Sequence, residues 1–228
     1  MKTASKFVEE AKKWLGVEEG SDKHKELISI YNSHRPLAHG YKMSTNDAWC
    51  AMFVSAISII CGYTDIIPAE IRCSSYIDKF KKKHVWKEDE NRTPNVGDIV
   101  FYDWEDSGSG NNKGTPNHVG IVSFVDDNTF DVIEGNYNNR VSIRTMLMNG
   151  KHLRGFAVPK YDSEPVVDQS AESEPSYYIH KVQKGDTLYH LALDYGATIS
   201  AIMNANYDLI KNRNLIRVGW ELKIPIKG

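Results

Sequence analysis

The stretch His118-Val119-Gly120-Ile121-Val122-Ser123-Phe124-Val125-Asp126-Asp127-Asn128-Thr129-Phe130-Asp131-Val132-Ile133-Glu134 decides the fold. Two β-branched and aromatic runs flank three short polar residues, which is the signature of a hairpin. With Asp126-Asp127-Asn128 as the loop, Val125 opposes Thr129, and counting outward sets His118 opposite Asn136. Glu134 is then a diagonal neighbour of His118. Side chains alternate with period two along a strand, so His118, Glu134 and Asn136 are expected on one sheet face.

Further strands are expected on either side of this hairpin, at Asp98–Tyr102, Val141–Arg144 and Gly155–Val158. Upstream of Pro94 the period changes to that of helices. Ser5–Leu15 carries apolar residues at helical spacing and stops at Gly16. Ser21 reads as the cap of a second helix running through Tyr31. Asp47 reads as the N-cap of a third, which ends at Gly62 and sets Cys50 near its third position. A fourth covers Ser74–Lys82. Helices followed by an antiparallel sheet make an α+β domain.

The stretch 162–176 holds five acidic residues, two prolines and no basic or aromatic residue, and reads as a flexible linker. It separates a domain at 1–161 from a small one at 177–228, read as strand, helix, helix, strand. The whole chain has 228 residues, 41% hydrophobic and 25% charged, with a net charge of −2. That balance is ordinarily globular and offers no reason to expect nucleic acid or an anionic membrane as partner. No apolar run is long enough for membrane insertion, and the first ten residues lack the apolar segment of a secretory leader. The chain therefore reads as made and held in a cytosol. There, free thiols are the default for Cys50, Cys61 and Cys73, with a Cys61–Cys73 disulfide as the alternative.

Cys50 lies where a polar stretch turns into the apolar run of the third helix. A thiol is a nucleophile only as thiolate, and a helix start favours the anion. His118 would take its proton, Glu134 or Asn136 would fix the imidazole tautomer, and the Cys50 backbone N–H would help hold an oxyanion, provided the helix packs across that sheet face. Taken singly, each residue has a plainer reading as core or solvated surface. Cys61 reads as core, and Cys73, with no histidine near it in sequence, as structural. The other histidines lack metal-ligand spacing, so no zinc site is expected.

Residues 41–160 resemble a CHAP domain, the cysteine-, histidine-dependent amidohydrolase/peptidase of papain-like fold. The resemblance is carried by Asp47-Ala48-Trp49-Cys50-Ala51-Met52-Phe53-Val54, Pro94-Asn95-Val96-Gly97-Asp98, Asn117-His118-Val119-Gly120 and Glu134-Gly135-Asn136. It implies Cys50 as nucleophile, His118 as base, Glu134 as its orienter and Asn136 as completing the site. Some CHAP domains bind calcium. The loop 102–112 lacks a regular D-x-D-x-D-G spacing, so it reads as solvated and no cofactor is expected, with calcium as the alternative.

Residues 177–226 are similar to a LysM domain, through Val182-Gln183-Lys184-Gly185-Asp186-Thr187-Leu188 and Asn214–Pro225. That likeness implies a groove for N-acetylglucosamine chains built from Gly185, Asp186, Thr187, Leu188, Asn206, Leu215 and Ile216. Trp220 either stacks on a sugar or covers the core. Together the two resemblances imply a peptidoglycan hydrolase. It would cut an amide of the stem peptide, or its bond to muramic acid, through a thioester while LysM holds the glycan. Lacking a leader, it reads as a phage endolysin released by holin-type pores. A bacterial autolysin, or a wall-binding protein with an inert CHAP scaffold, are the alternatives.

Overall fold

The computed structural model describes residues 1–89, 91–105, 114–125, 128–148, 151–163, 177–197, 199–210, 212 and 215–225. The expected turn residues Asp126 and Asp127, most of the loop 102–112 and all but the first two residues of the expected linker lie outside these. The chain divides into two compact units, Met1–Pro165 and Val166–Gly228.

The first unit opens with helices α1 (Ala4–Lys12) and α2 (Asp22–Ser33), followed by α3 (Cys50–Cys61) and α4 (Cys73–Lys82). Thr3 and Ser21 cap α1 and α2, their hydroxyls accepting from the Lys6 and His24 amides. α1 is shorter than its apolar pattern, because residues 13–15 continue it only through i→i−3 bonds. α3 ends as expected at Gly62, whose left-handed φ of 70° lets the Tyr63 amide turn back to the Ser58 carbonyl.

Its start differs from expectation. Asp47 does not cap α3: its carboxylate accepts from the Ser44 amide and hydroxyl and from the Tyr41 hydroxyl. Trp49 occupies the cap position without a side-chain bond, and Cys50 is the first helical residue. The first-turn amides of α3 therefore meet no capping side chain.

Six antiparallel strands follow: β1 (Trp86–Lys87), β2 (Ile99–Tyr102), β3 (His118–Val125), β4 (Thr129–Glu134), β5 (Ser142–Leu147) and β6 (Leu153–Ala157). They form one sheet in the order β1-β6-β2-β3-β4-β5. The short β1 escaped the sequence pattern because two residues carry no period. Near the turn the expected register fails, since Val125 pairs with Phe130 rather than Thr129. A bulge at Ser123 absorbs the extra residue, and beyond it Val122 pairs with Val132 and Ile121 with Ile133. The count toward His118 thus ends where it was expected, although the turn closes differently.

The sheet packs on both faces. Ile99, Phe101, Val119, Ile121, Ile133 and Ala157 join the main core with the four helices. Val100, Tyr102, Val122, Phe130, Val132, Leu153 and Phe156 form a second cluster on the other face, against which Trp104 and Met146 pack.

The second unit pairs β7 (Tyr177–Lys181) antiparallel with β8 (Glu221–Pro225), with α5 (Leu188–Asp194) and α6 (Ile199–Ala205) between them in sequence. Its core is Val182, Leu188, Leu191, Ile202, Ile210, Leu222 and Ile224. The strand–helix–helix–strand order read from the sequence is the one observed.

Candidate active site

Alternation along β3 and β4 puts His118, Gly120, Val132 and Glu134 on the face away from the helices. This corrects the expectation that α3 packs across the His118 face: α3 packs with Val119, Ile121 and Ile133 on the opposite one. Cys50 nevertheless meets His118, because both stand at ends, Cys50 opening α3 and His118 opening β3.

Two glycines permit this arrangement. A Cβ on Gly120 would sit 2.4 Å from Val132 Cγ1 and 2.8 Å from Glu134 Cγ, so the bare backbone is what lets Glu134 lie across β3 toward His118. A Cβ on Gly135 would sit 2.4 Å from Phe53 Cβ, so this glycine admits α3 against the end of β4. Trp49 is fully buried, packs its ring 4.5 Å from that of His24 at a tilt of 44° and donates from its indole to Glu19 at 2.9 Å, which anchors the helix start.

His118 Nε2 lies 3.0 Å from Glu134 Oε2. A carboxylate accepts, so Nε2 carries the hydrogen and Nδ1 is left for the thiol. The Cys50 thiol lies within interacting range of Cys73, of His118 and of the Ala51 amide. The Cys73 thiol above all, and then the imidazole, hold the Cys50 thiol well below its usual range against the opposing effect of burial. Burial works against the imidazolium of His118, but Cys50 and Glu134 outweigh it and push His118 up to about 9. Both directions favour charge separation between thiol and imidazole.

Cys73 opens α4 beside Cys50, a proximity that its sequence position does not reveal, and its own thiol is pushed up by that neighbour and by burial. All three cysteines are free, and burial pushes Cys61 up to about 11. Asn136 also departs from expectation: β4 ends at Glu134, and φ of 58° turns Asn136 out of the strand. Strand alternation therefore does not carry it to His118, and no side-chain hydrogen bond joins the two among the described residues.

Sequence reading missed Arg144. Its Nε donates to both Glu134 oxygens, at 2.9 and 3.0 Å, and its guanidinium lies 3.7 Å from the Tyr137 ring centre and 4.6 Å from that of Trp104. Ser142 pairs with Glu134, so even-numbered residues of β5 share the Glu134 face. The available signal was a cation two residues along that face. Tyr102 is stacked on His118 at 5.8 Å, and burial followed by the Glu134 charge pushes its phenol well up. Among the described residues, no group of three or more His, Cys, Asp or Glu is arranged to hold a metal.

Two family models match the chain. Residues 40–136 match the model of the CHAP domain, and residues 180–225 match that of the LysM domain. The chain carries a CHAP domain followed by a LysM domain. The pair makes a peptidoglycan hydrolase with a wall-binding module. No solved structure matches the chain. Among the described residues no helix is long and apolar enough to cross a membrane.

In the LysM domain the seven expected groove residues divide. Gly185, Thr187 and Leu215 are exposed, and Ile216 half-buried. Asp186 accepts from the Gln183 amide and His180, and Thr187 caps α5 by accepting from the His190 amide. Leu188 is buried in the domain core. Asn206 is spent internally: its amide donates to the Ile202 and Lys223 carbonyls and its oxygen accepts from the Lys223 amide. Trp220 packs against the domain core.

Proposed function

We propose that the CHAP domain cleaves an amide of the peptidoglycan stem peptide, or the bond joining that peptide to muramic acid, by cysteine catalysis. The reading is carried by one observation, the alignment of a buried thiol, an imidazole and a carboxylate at a helix start without a capping side chain. The Cys50 thiolate attacks the carbonyl carbon, and the amide N–H at the start of α3 stabilises the oxyanion. His118 gives its Nδ1 proton to the departing amine as the C–N bond breaks, leaving a thioester on Cys50. A water then loses a proton to His118 and adds to the thioester, which collapses to the carboxylic acid and returns the thiolate; the product acid loses its proton to solvent. Glu134 holds the imidazole by Nε2 throughout.

The LysM domain would hold wall glycan through Gly185, Thr187, Leu215 and Ile216, with Asp186, Leu188 and Asn206 shaping the loops. Tethering raises the local substrate concentration for the catalytic domain.

Cys50→Ala should abolish lysis of purified walls while leaving wall sedimentation of the protein unchanged. Full lysis by that variant would sink the proposal. Mass spectrometry of the fragments separates the two bonds: a free muramic acid lactyl group marks an amidase, and a new peptide amine within the stem or bridge marks an endopeptidase.

A further inference from the structure

We propose that Arg144 is a positioning residue of this site, holding Glu134 against His118 and setting by its charge the pH range in which Cys50 and His118 work as a pair. The inference rests on reading Cys50 and His118 as the reacting pair.

The Glu134 side chain is wholly buried. A carboxylate without water needs a partner charge, because desolvating an unpaired ion is among the costliest events in folding. Glu134 has two partners with different duties. His118 must change its protonation during each turnover, whereas Arg144 keeps its charge throughout. Arg144 is itself held from two sides, by the Tyr137 and Trp104 rings at 3.7 and 4.6 Å. Its Nε serves both Glu134 oxygens, so this part of the guanidinium is committed to the carboxylate.

The charges alternate along the row: thiolate, imidazolium, carboxylate, guanidinium. With Arg144 the reactive state is neutral; without it the same state carries one net negative charge in a site with little water. Removing a positive charge makes every nearby group bind protons more tightly, whichever one takes the proton. The groups concerned are Glu134, His118, Cys50 and Cys73, together with Tyr102 from β2 and Tyr137 after β4. Lys151 and His152 line the same cleft as Arg144. Loss of Arg144 therefore moves thiolate formation to higher pH.

The test is the rate of Cys50 alkylation by iodoacetamide against pH, mapped to Cys50 by mass spectrometry in the full chain. Arg144→Met should raise the midpoint by on the order of one pH unit, from the size of a near-charge effect. Wall lysis at neutral pH should fall about tenfold and recover as pH rises. Arg144→Lys keeps the charge, and its midpoint should stay within a few tenths of a unit of the parent. Arg144→Gln, which keeps a donor for the carboxylate, is the second neutral variant and should behave as the methionine one does. An unchanged midpoint in either neutral variant, with an intact circular dichroism spectrum, overturns the proposal and leaves Arg144 a packing residue. Alkylation needs no wall, so a protein that responds here but cuts no peptidoglycan would refute the proposed substrate and not this inference.

Discussion

Two of the histidine–carboxylate pairs among the described residues, one in each domain, are of similar length and do different things. In the CHAP domain His118 lies 3.0 Å from Glu134; in the LysM domain His180 lies 2.7 Å from Asp186. The first carboxylate is wholly buried and also meets Arg144, while the second is 23% exposed and also accepts a backbone amide. The other imidazole nitrogen separates them further. In His118 it is left for the neighbouring Cys50 thiol, and in His180 it pairs with the Tyr195 hydroxyl. A histidine–carboxylate pair is thus a fastening when its second nitrogen is satisfied within the fold. It becomes a candidate proton shuttle when that nitrogen faces a thiol.

The sharpest way to break this comparison is to neutralise each carboxylate. Glu134→Gln puts an amide donor against Arg144 and His118 and should lower wall lysis by about 10²–10⁴-fold, the span of a general acid–base contribution. Retained lysis would place both pairs in the same class. Next in size is the alkaline limb of the pH profile. The imidazolium of His118 must protonate the leaving amine, so lysis should fall about tenfold per unit as pH rises above about 9. Stability follows the same sign: a folded value raised above the unfolded 6.5 contributes fully below 6.5 and is lost as pH rises through about 9. Chemical denaturation at pH 7 and 10 reads that term separately from activity. The smallest effect belongs to Asp186→Asn. Partly exposed ion pairs contribute about 1 kcal/mol or less, so wall affinity should change by less than about fivefold. The Cys50 alkylation profile should not move at all; a shift there would tie the LysM pair to the catalytic one.

Much of the catalytic site was legible because it is local. His118 and Glu134 share a face by alternation alone, and the Ser123 bulge does not disturb them because it lies toward the turn. Gly62 and Ser21 act where their types predict, one as a left-handed stop and the other as a hydroxyl cap. Asp47 does not. An aspartate before an apolar run is a natural cap, but Ser44 and Tyr41 claim its oxygens first. The strand face expected for Asn136 does not hold, because period two applies only inside a strand and β4 ends at Glu134. In the LysM domain Asn206 looked like a groove residue, yet a short domain with little core needs that amide to tie α6 to β8.

Most of the elements, the order of the two domains, and the sheet face shared by His118 and Glu134 could be read from residue order alone, because they follow from periods of two and 3.6 residues within short segments; the two-residue β1 carries no such period. The start of α3 at Cys50, rather than at a capped turn, was set by contacts in space. The tertiary structure alone brought Cys73 beside Cys50 and Arg144 onto Glu134 from separate elements, α4 and β5. The physical reason is burial. A charge removed from water must find its partners in space, and spacing along the chain says little about which they will be.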